Sequence, residues 1–265
     1  MNLRDYGMFK YSVVMLLTES ANGRKSAGTG FIVEVSNGLE KRYVVITNAH
    51  IVNDAAIITA YFACSSGLSV STVDSIAITQ AVDSDLPITF HPRRDIDLAA
   101  FPIAPFSKTV FQKYGVCPIC VPIPNTAIVT QSAFDRYGEI EKVVTCGFPG
   151  ATLSDQIPVS MFRHGITATD IRDDFRGLPV FVCDLEAVNG MSGSPVFRID
   201  ESTMNPELIG VQYAILAQTV RNDRCEKAVP YTTLLGLGLC IKAYEINTLI
   251  ASIPDFDTVY PPLKQ

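Results

Sequence analysis

Several things are scarce in this chain, and each scarcity excludes a class of protein. No stretch of its 265 residues approaches the roughly 20 consecutive apolar residues that a membrane helix needs, so no membrane association is expected. Basic residues are outnumbered, 21 Lys and Arg against 27 Asp and Glu, for a net charge of -6. Basic residues cluster no more tightly than in pairs such as Lys41-Arg42 and Arg93-Arg94, read as solvated turns, so no nucleic-acid partner is expected. Tryptophan is absent and histidine occurs three times, as His50, His91 and His164. With so few histidines and no second CxxC beside Cys117-Pro-Ile-Cys120, a four-ligand zinc site is hard to assemble. No metal or cofactor is expected. Internal repeats, low-complexity tracts and charged tails are also missing.

Cysteine is present in an odd number, seven: Cys64, Cys117, Cys120, Cys146, Cys183, Cys225 and Cys240. At least one is therefore unpaired, which favours a reducing compartment. The expectation is a cytoplasmic protein whose seven thiols are apolar core residues. The apolar run Tyr11 to Leu17 follows a basic flank, as in a secretory signal, but Asp5 and Glu19 bracket it and no small-x-small cleavage site follows. It reads as an uncleaved first strand.

What the sequence does contain is short runs rich in β-branched and aromatic residues, separated by turn residues. Tyr11 to Leu17, Thr29 to Val35, Tyr43 to Thr47, Ala55 to Tyr61, Leu98 to Phe101, Val143 to Cys146, Val180 to Cys183, Val196 to Ile199 and Leu208 to Leu216 all read as strands. Asn37-Gly38 marks a hairpin turn, because both central residues of a type I′ turn need positive φ. A helix is expected only over Ala243 to Ile253, where Ile246, Leu249, Ile250 and Ile253 share a face before Pro254. Many short strands in succession imply an all-β sandwich or barrel. The middle holds Pro102, Pro105, Pro118, Pro122 and Pro124 and reads as a crossing between two β halves. The expected units are residues 1–104, a crossing over 105–135, a second β unit with its helix over 136–253, and a surface tail over 254–265.

The hexapeptide Gly190-Met-Ser-Gly-Ser-Pro195 is the richest in chemistry. A serine between glycines suits a nucleophile whose own N–H and a neighbour's converge on an oxyanion, since glycine permits the tight turn that aims such donors. A plain Gly-Ser turn has the same composition, so partners are needed. A serine hydroxyl requires a base, in practice histidine, and the base requires an acid that fixes its tautomer. His50 follows the run Val44-Val-Ile-Thr47 at a strand end, and Asp97 opens the apolar run Asp97 to Phe101, where a carboxylate must be paired. Asp95 is the second candidate for that acid. His91 and His164 are read as structural or surface residues.

Taken in order, Thr47-Asn-Ala-His50, Asp97-Leu-Ala99 and Gly190-Met-Ser-Gly-Ser-Pro195 resemble the three active-site motifs of the chymotrypsin-like (trypsin-fold) serine peptidases, in the stand-alone or Deg-type bacterial branch without a PDZ domain. Ser26-Ala-Gly-Thr-Gly-Phe-Ile32, Cys146-Gly-Phe-Pro149, Arg163-His-Gly-Ile166 and Gly236 to Ile241 resemble further strands of that family. The resemblance implies two antiparallel six-stranded β-barrels with a C-terminal helix. It implies Ser192 as nucleophile, His50 as general base, Asp97 as its orienter, and the N–H groups of Gly190 and Ser192 as oxyanion hole. It also implies a protein or peptide substrate and no cofactor. For the primary pocket it points to Glu186, which would favour Lys or Arg at the cleavage site, or to Gln212, Tyr213 and Ala214. Met191 departs from the family, since it stands where digestive enzymes carry an aspartate and Deg-type enzymes usually asparagine. An unregulated endopeptidase would be hazardous in a cytoplasm, so gating by an activating protein partner or by a switch in the oxyanion loop is expected. The alternatives are a catalytically silent peptide-binding or scaffold module of the same fold and a hydrolase of small esters.

Overall fold

The computed structural model describes residues 3–37, 40–65, 73–150, 158–200, 205–220 and 231–253. In the first half, β1 (Val13–Ser20), β2 (Lys25–Asn37) and β3 (Glu40–Thr47) lead to the one-turn helix α1 (Ala49–Val52). They continue into β4 (Ala55–Ser65), β5 (Val73–Ala81), β6 (Thr89–Phe90) and β7 (Ala99–Pro102). A helix α2 (Ala104–Tyr114), strand β8 (Ile123–Pro124) and short helix α3 (Gln131–Phe134) form the crossing. The second half contains β9 (Lys142–Gly147), β10 (Met161–Thr167), β11 (Val180–Asp184), β12 (Pro195–Ile199), β13 (Pro206–Val220), β14 (Tyr231–Lys242) and helix α4 (Tyr244–Ala251).

The second half is a closed six-stranded barrel in the order β10-β11-β14-β13-β12-β9. The first is an eight-stranded sheet, β5-β4-β1-β2-β3-β7-β6, with β8 added in parallel to β2. All other strand pairs are antiparallel. The fold is all-β, as expected.

Period-two alternation explains how the halves are joined. On β1 to β3, Val14, Leu16, Ile32 and Val45 pack inside the first half with Phe62, Phe101 and Phe106. Their neighbours Val13, Met15, Phe31, Val33, Val44 and Ile46 point the other way, into a cluster shared with Phe181, Val196, Phe197, Val211 and Ile241 of the barrel. These strands are buried on both faces, so they read as unbroken apolar runs instead of alternating ones. The run Tyr11 to Leu17 is accordingly a strand from Val13 on, with Tyr11 ending a 3-10 helix over Leu3–Tyr11.

The proline-rich crossing contains a helix that the sequence reading did not anticipate. Pro105 occupies its first turn, where a missing N–H does no harm, Phe106 and Val110 are buried one turn apart, and Gly115 closes it at φ 68°. The prolines mark a helix start and the irregular segment after it. Helix α4 falls within the expected span, ending at Ala251. His91 is 5% exposed, with Nε2 3.0 Å from the Glu245 carboxylate of α4, and it accepts from the Arg93 N–H at 3.2 Å through Nδ1. The C-terminal helix is thereby fixed beside the segment that carries Asp97.

Not every cysteine is a core thiol. Cys146, Cys183 and Cys240 are buried, but Cys117 is exposed and Cys120 half-buried, because the segment after α2 runs outside the core. No group of three or more potential metal ligands exists among the described residues. Cys225, Gly38 of the hairpin signal and the tail 254–265 lie outside the described residues, as does the side chain of Cys64. Burial pushes the Cys146 thiol up to about 12. Under native conditions at neutral pH, iodoacetamide should therefore modify Cys117 and leave Cys146 intact, as read by peptide mass spectrometry; early modification of Cys146 would contradict this packing.

Phe197 is 1% exposed and stacks on Phe9 with ring centroids 4.3 Å apart. Truncating it should leave a cavity at the junction of the halves. Phe197→Ala is expected to lower unfolding free energy by about 3–5 kcal/mol in urea titration, and a loss below about 1 kcal/mol would mean that the junction does not stabilise the fold.

Candidate active site

His50 sits in α1 directly after β3, with Asn48 as the residue preceding the turn. Its Nδ1 is 2.5 Å from Asp97 Oδ2, and its backbone N–H donates to Asp97 Oδ1 at 2.9 Å. One carboxylate thus fixes both ring and backbone. Asp97 lies in the turn before β7 and is itself held, since the fully buried Asn48 donates from Nδ2 to its backbone carbonyl at 2.8 Å. Asp95 is exposed and forms a bidentate pair with Arg93 at 2.8 and 3.2 Å, so of the two acids Asp97 is the one that meets His50. The ring of Tyr213 adds cover: burial first, and the Asp97 charge second, raise its phenol above the ordinary tyrosine range.

Ser192 lies on the loop between β11 and β12. Gly190 and Gly193 adopt φ 92° and 85°, values that L side chains rarely reach. The Ser192 hydroxyl donates to the Tyr213 carbonyl at 3.3 Å, and no Ser192–His50 hydrogen bond is present among the described residues. The loop is pinned on both sides. Toward the barrel, the Gly193 N–H donates to Gln212 O at 2.7 Å and the Gln212 N–H to Ser194 O at 2.9 Å. Toward the first half, the Thr29 N–H donates to Ser192 O at 2.8 Å and Thr29 Oγ1 to Gly190 O at 2.9 Å.

Two backbone donors remain. Among the described residues, the N–H groups of Gly190 and Ser192 have no acceptor. The Asn189 carbonyl accepts from Gly150 N–H at 2.8 Å, and in a trans peptide the following N–H points the opposite way. The Gly190 N–H is therefore turned away from Gly150 and left free. Met191 is fully buried, and its sulfur accepts a weak hydrogen bond from the Ser194 hydroxyl at 4.0 Å.

Two residues that the sequence reading did not single out complete the geometry. Thr29 joins the nucleophile loop to β2, and Asn48 fixes Asp97. Thr29 had a signal, since it lies between Gly28 and Gly30 in a strand that is otherwise densely apolar. Asn48 adjoins His50 but nothing in the sequence distinguishes it from a turn residue. Of the pocket candidates, Gln212 is 2% exposed beside the loop, while Tyr213 and Ala214 are partly exposed on the same strand. Glu186 has its side chain 88% exposed and 3.2 Å from Arg163, whose guanidinium also donates to the Glu186 carbonyl at 2.7 Å. That is the arrangement of a surface carboxylate, not of a buried pocket base. His164 is exposed on β10, apart from these groups.

Thr29 Oγ1 also accepts from the Phe148 N–H at 3.1 Å. Replacing threonine by the near-isosteric valine leaves that buried donor and the Gly190 carbonyl unpaired. Thr29→Val should destabilise the chain by about 1–3 kcal/mol in denaturant titration, and Thr29→Ser, which retains the hydroxyl, should recover most of the loss. Equal stability of the two variants would show that the hydroxyl bonds do not matter.

Residues 28–210 match the family model of the trypsin-like peptidase domain. A solved structure described as HL collagenase at 1.7 Å resolution superposes with a TM-score of 0.50 over 89% of this chain and 90% of that one, at 14% identity, a likeness of fold alone. No curated protein matches in sequence. The matched span contains His50, Asp97 and Ser192, and the chain belongs to the trypsin-like peptidase domain family.

Proposed function

We propose that the chain is a serine endopeptidase in which Ser192 attacks the scissile carbonyl, His50 takes its proton and returns it to the leaving amine, and Asp97 orients His50. The observation that carries this reading is the double engagement of Asp97 by the His50 ring and backbone, at 2.5 and 2.9 Å, beside a serine loop with two unpaired N–H donors. Nδ1 donates to the carboxylate, so Nε2 is free to act as base at the outer edge of a half-exposed ring. The N–H groups of Gly190 and Ser192 receive the oxyanion of the tetrahedral intermediate. Collapse of that intermediate gives an acyl-enzyme on Ser192, and water activated by His50 hydrolyses it. The substrate is a protein or peptide.

Regulation follows from two features that pull apart. The bond from Gly150 to Asn189 supports an oxyanion hole formed without a ligand, so a switch in that loop is not required. The Ser192 hydroxyl, in contrast, is engaged by the Tyr213 carbonyl and must rotate toward His50 before attack. An activating partner would act at that step. The same engagement favours the second reading, a silent peptide-binding module in which the rotation does not occur.

A fluorophosphonate probe separates the two readings. It should label the wild type and fail to label Ser192→Ala and His50→Ala; labelling that persists in Ser192→Ala would remove the nucleophile assignment. Asp97→Asn should reduce peptide hydrolysis by roughly 10⁴-fold, the scale of the same change in other serine triads, with peptide binding retained.

A further inference from the structure

We propose that the primary pocket selects a substrate side chain ending in a carboxamide, glutamine or asparagine, and that Gln212 is the residue that selects it. The inference rests on the reading of the Ser192 loop as the substrate-binding centre. Gln212 flanks that loop: its carbonyl accepts from Gly193, its N–H donates to Ser194, and the carbonyl of the next residue, Tyr213, takes the Ser192 hydroxyl. The residue is 2% exposed, yet among the described residues its Oε1 has no hydrogen-bond partner. Folded proteins seldom leave a buried amide oxygen unpaired unless a ligand or water completes it.

The neighbouring strand meets this amide at a glycine. A Cβ placed on Gly238 would stand 3.4 Å from Gln212 Nε2, 3.5 Å from its Cδ and 3.3 Å from the Ala187 Cβ. Ala187, Gln212 and Gly238 therefore lie side by side, with the amide next to two small residues. Ala187 leads into the nucleophile loop, and its N–H is held by the Gly236 carbonyl at 2.8 Å.

Chemistry then decides among side chains. Lysine or arginine would find no carboxylate among these three residues, and the nearby Glu186 is exposed and paired with Arg163. An apolar side chain would leave Oε1 buried and unpaired. A carboxylate would oppose Oε1 and accept at most from Nε2. A carboxamide donates N–H to Oε1 and accepts from Nε2, so it matches the Gln212 amide at both ends, whichever way that amide is turned.

The test uses the Ser192→Ala chain, which binds without cutting, immobilised and exposed to a randomised peptide library whose retained members are sequenced. Glutamine or asparagine should be enriched about tenfold at one position, and Gln212→Met in the same background should abolish the enrichment. Gln212→Glu, which keeps the shape, should shift enrichment toward lysine or arginine. Enrichment of another side chain, retention of no peptide, or a carboxamide preference that survives both substitutions would overturn the inference. Failure of the peptidase reading is seen separately, as a Ser192-containing chain that ignores the fluorophosphonate while its Ser192→Ala form still retains carboxamide peptides.

Discussion

Thr29 is the point through which the first half of the molecule holds the Ser192 loop. Its N–H binds the Ser192 carbonyl, its hydroxyl bridges the Gly190 carbonyl and the Phe148 N–H, and its own carbonyl accepts from Thr47 Oγ1 at 2.8 Å. All its polar groups are thus engaged, two of them across the junction. The approach is so close that a Cβ on Gly193 would fall 1.9 Å from the Thr29 carbonyl oxygen, and one on Gly28 would fall 2.2 Å from Ile51 Cδ1. Glycine at these positions is a steric requirement before it is a conformational one. Since Thr47 stands three residues before His50 on the strand that presents it, the same contact relates the base to the serine.

The junction resists sliding because the strands that form it are committed on both faces. A one-residue slip of β2 would exchange Phe31 and Val33 with Ile32, moving side chains shaped for the shared core into the interior of the first half. Pairing registers across β1, β2 and β3 are continuous, with Thr29 opposite Met15 of β1 and Thr47 opposite Ala99 of β7. Packing therefore sets the distance between His50 and Ser192 more firmly than any contact between the two residues themselves.

Some of this was legible in the sequence and some was not, for physical reasons. The triad candidates were legible because the chemistry is demanding: with three histidines available, only His50 lay at a strand end ahead of a plausible acid. Asp97 and Asp95 are indistinguishable by type and near neighbours by position, and the choice depends on Arg93 neutralising Asp95 in space. Helix α2 escaped detection because five prolines around it signal irregular chain, while its stabilising features, Phe106 and Val110 against the core and an αL glycine, show only in the folded state. Strand β10 exposes Met161, Phe162 and Ile166, so its apolar residues carry no alternation to read. Glu186 illustrates the reverse error, in which a position counted from the nucleophile suggested a pocket base while backbone at φ 47° turns the side chain out to Arg163.

The Ser192 loop and the Gln212 side chain meet on one strand for a related reason. β13 accepts the Gly193 N–H and returns its own N–H to Ser194, so the loop is held by backbone groups of Gln212 whatever its side chain is. That leaves the Gln212 side chain free of a structural duty, apart from packing beside Gly238. Position 212 is therefore a place where side-chain chemistry can vary without moving Ser192, whereas Thr29, whose side chain itself bears the loop, has no such freedom. The division between a backbone that positions and a side chain that discriminates follows from which atoms the folded loop requires.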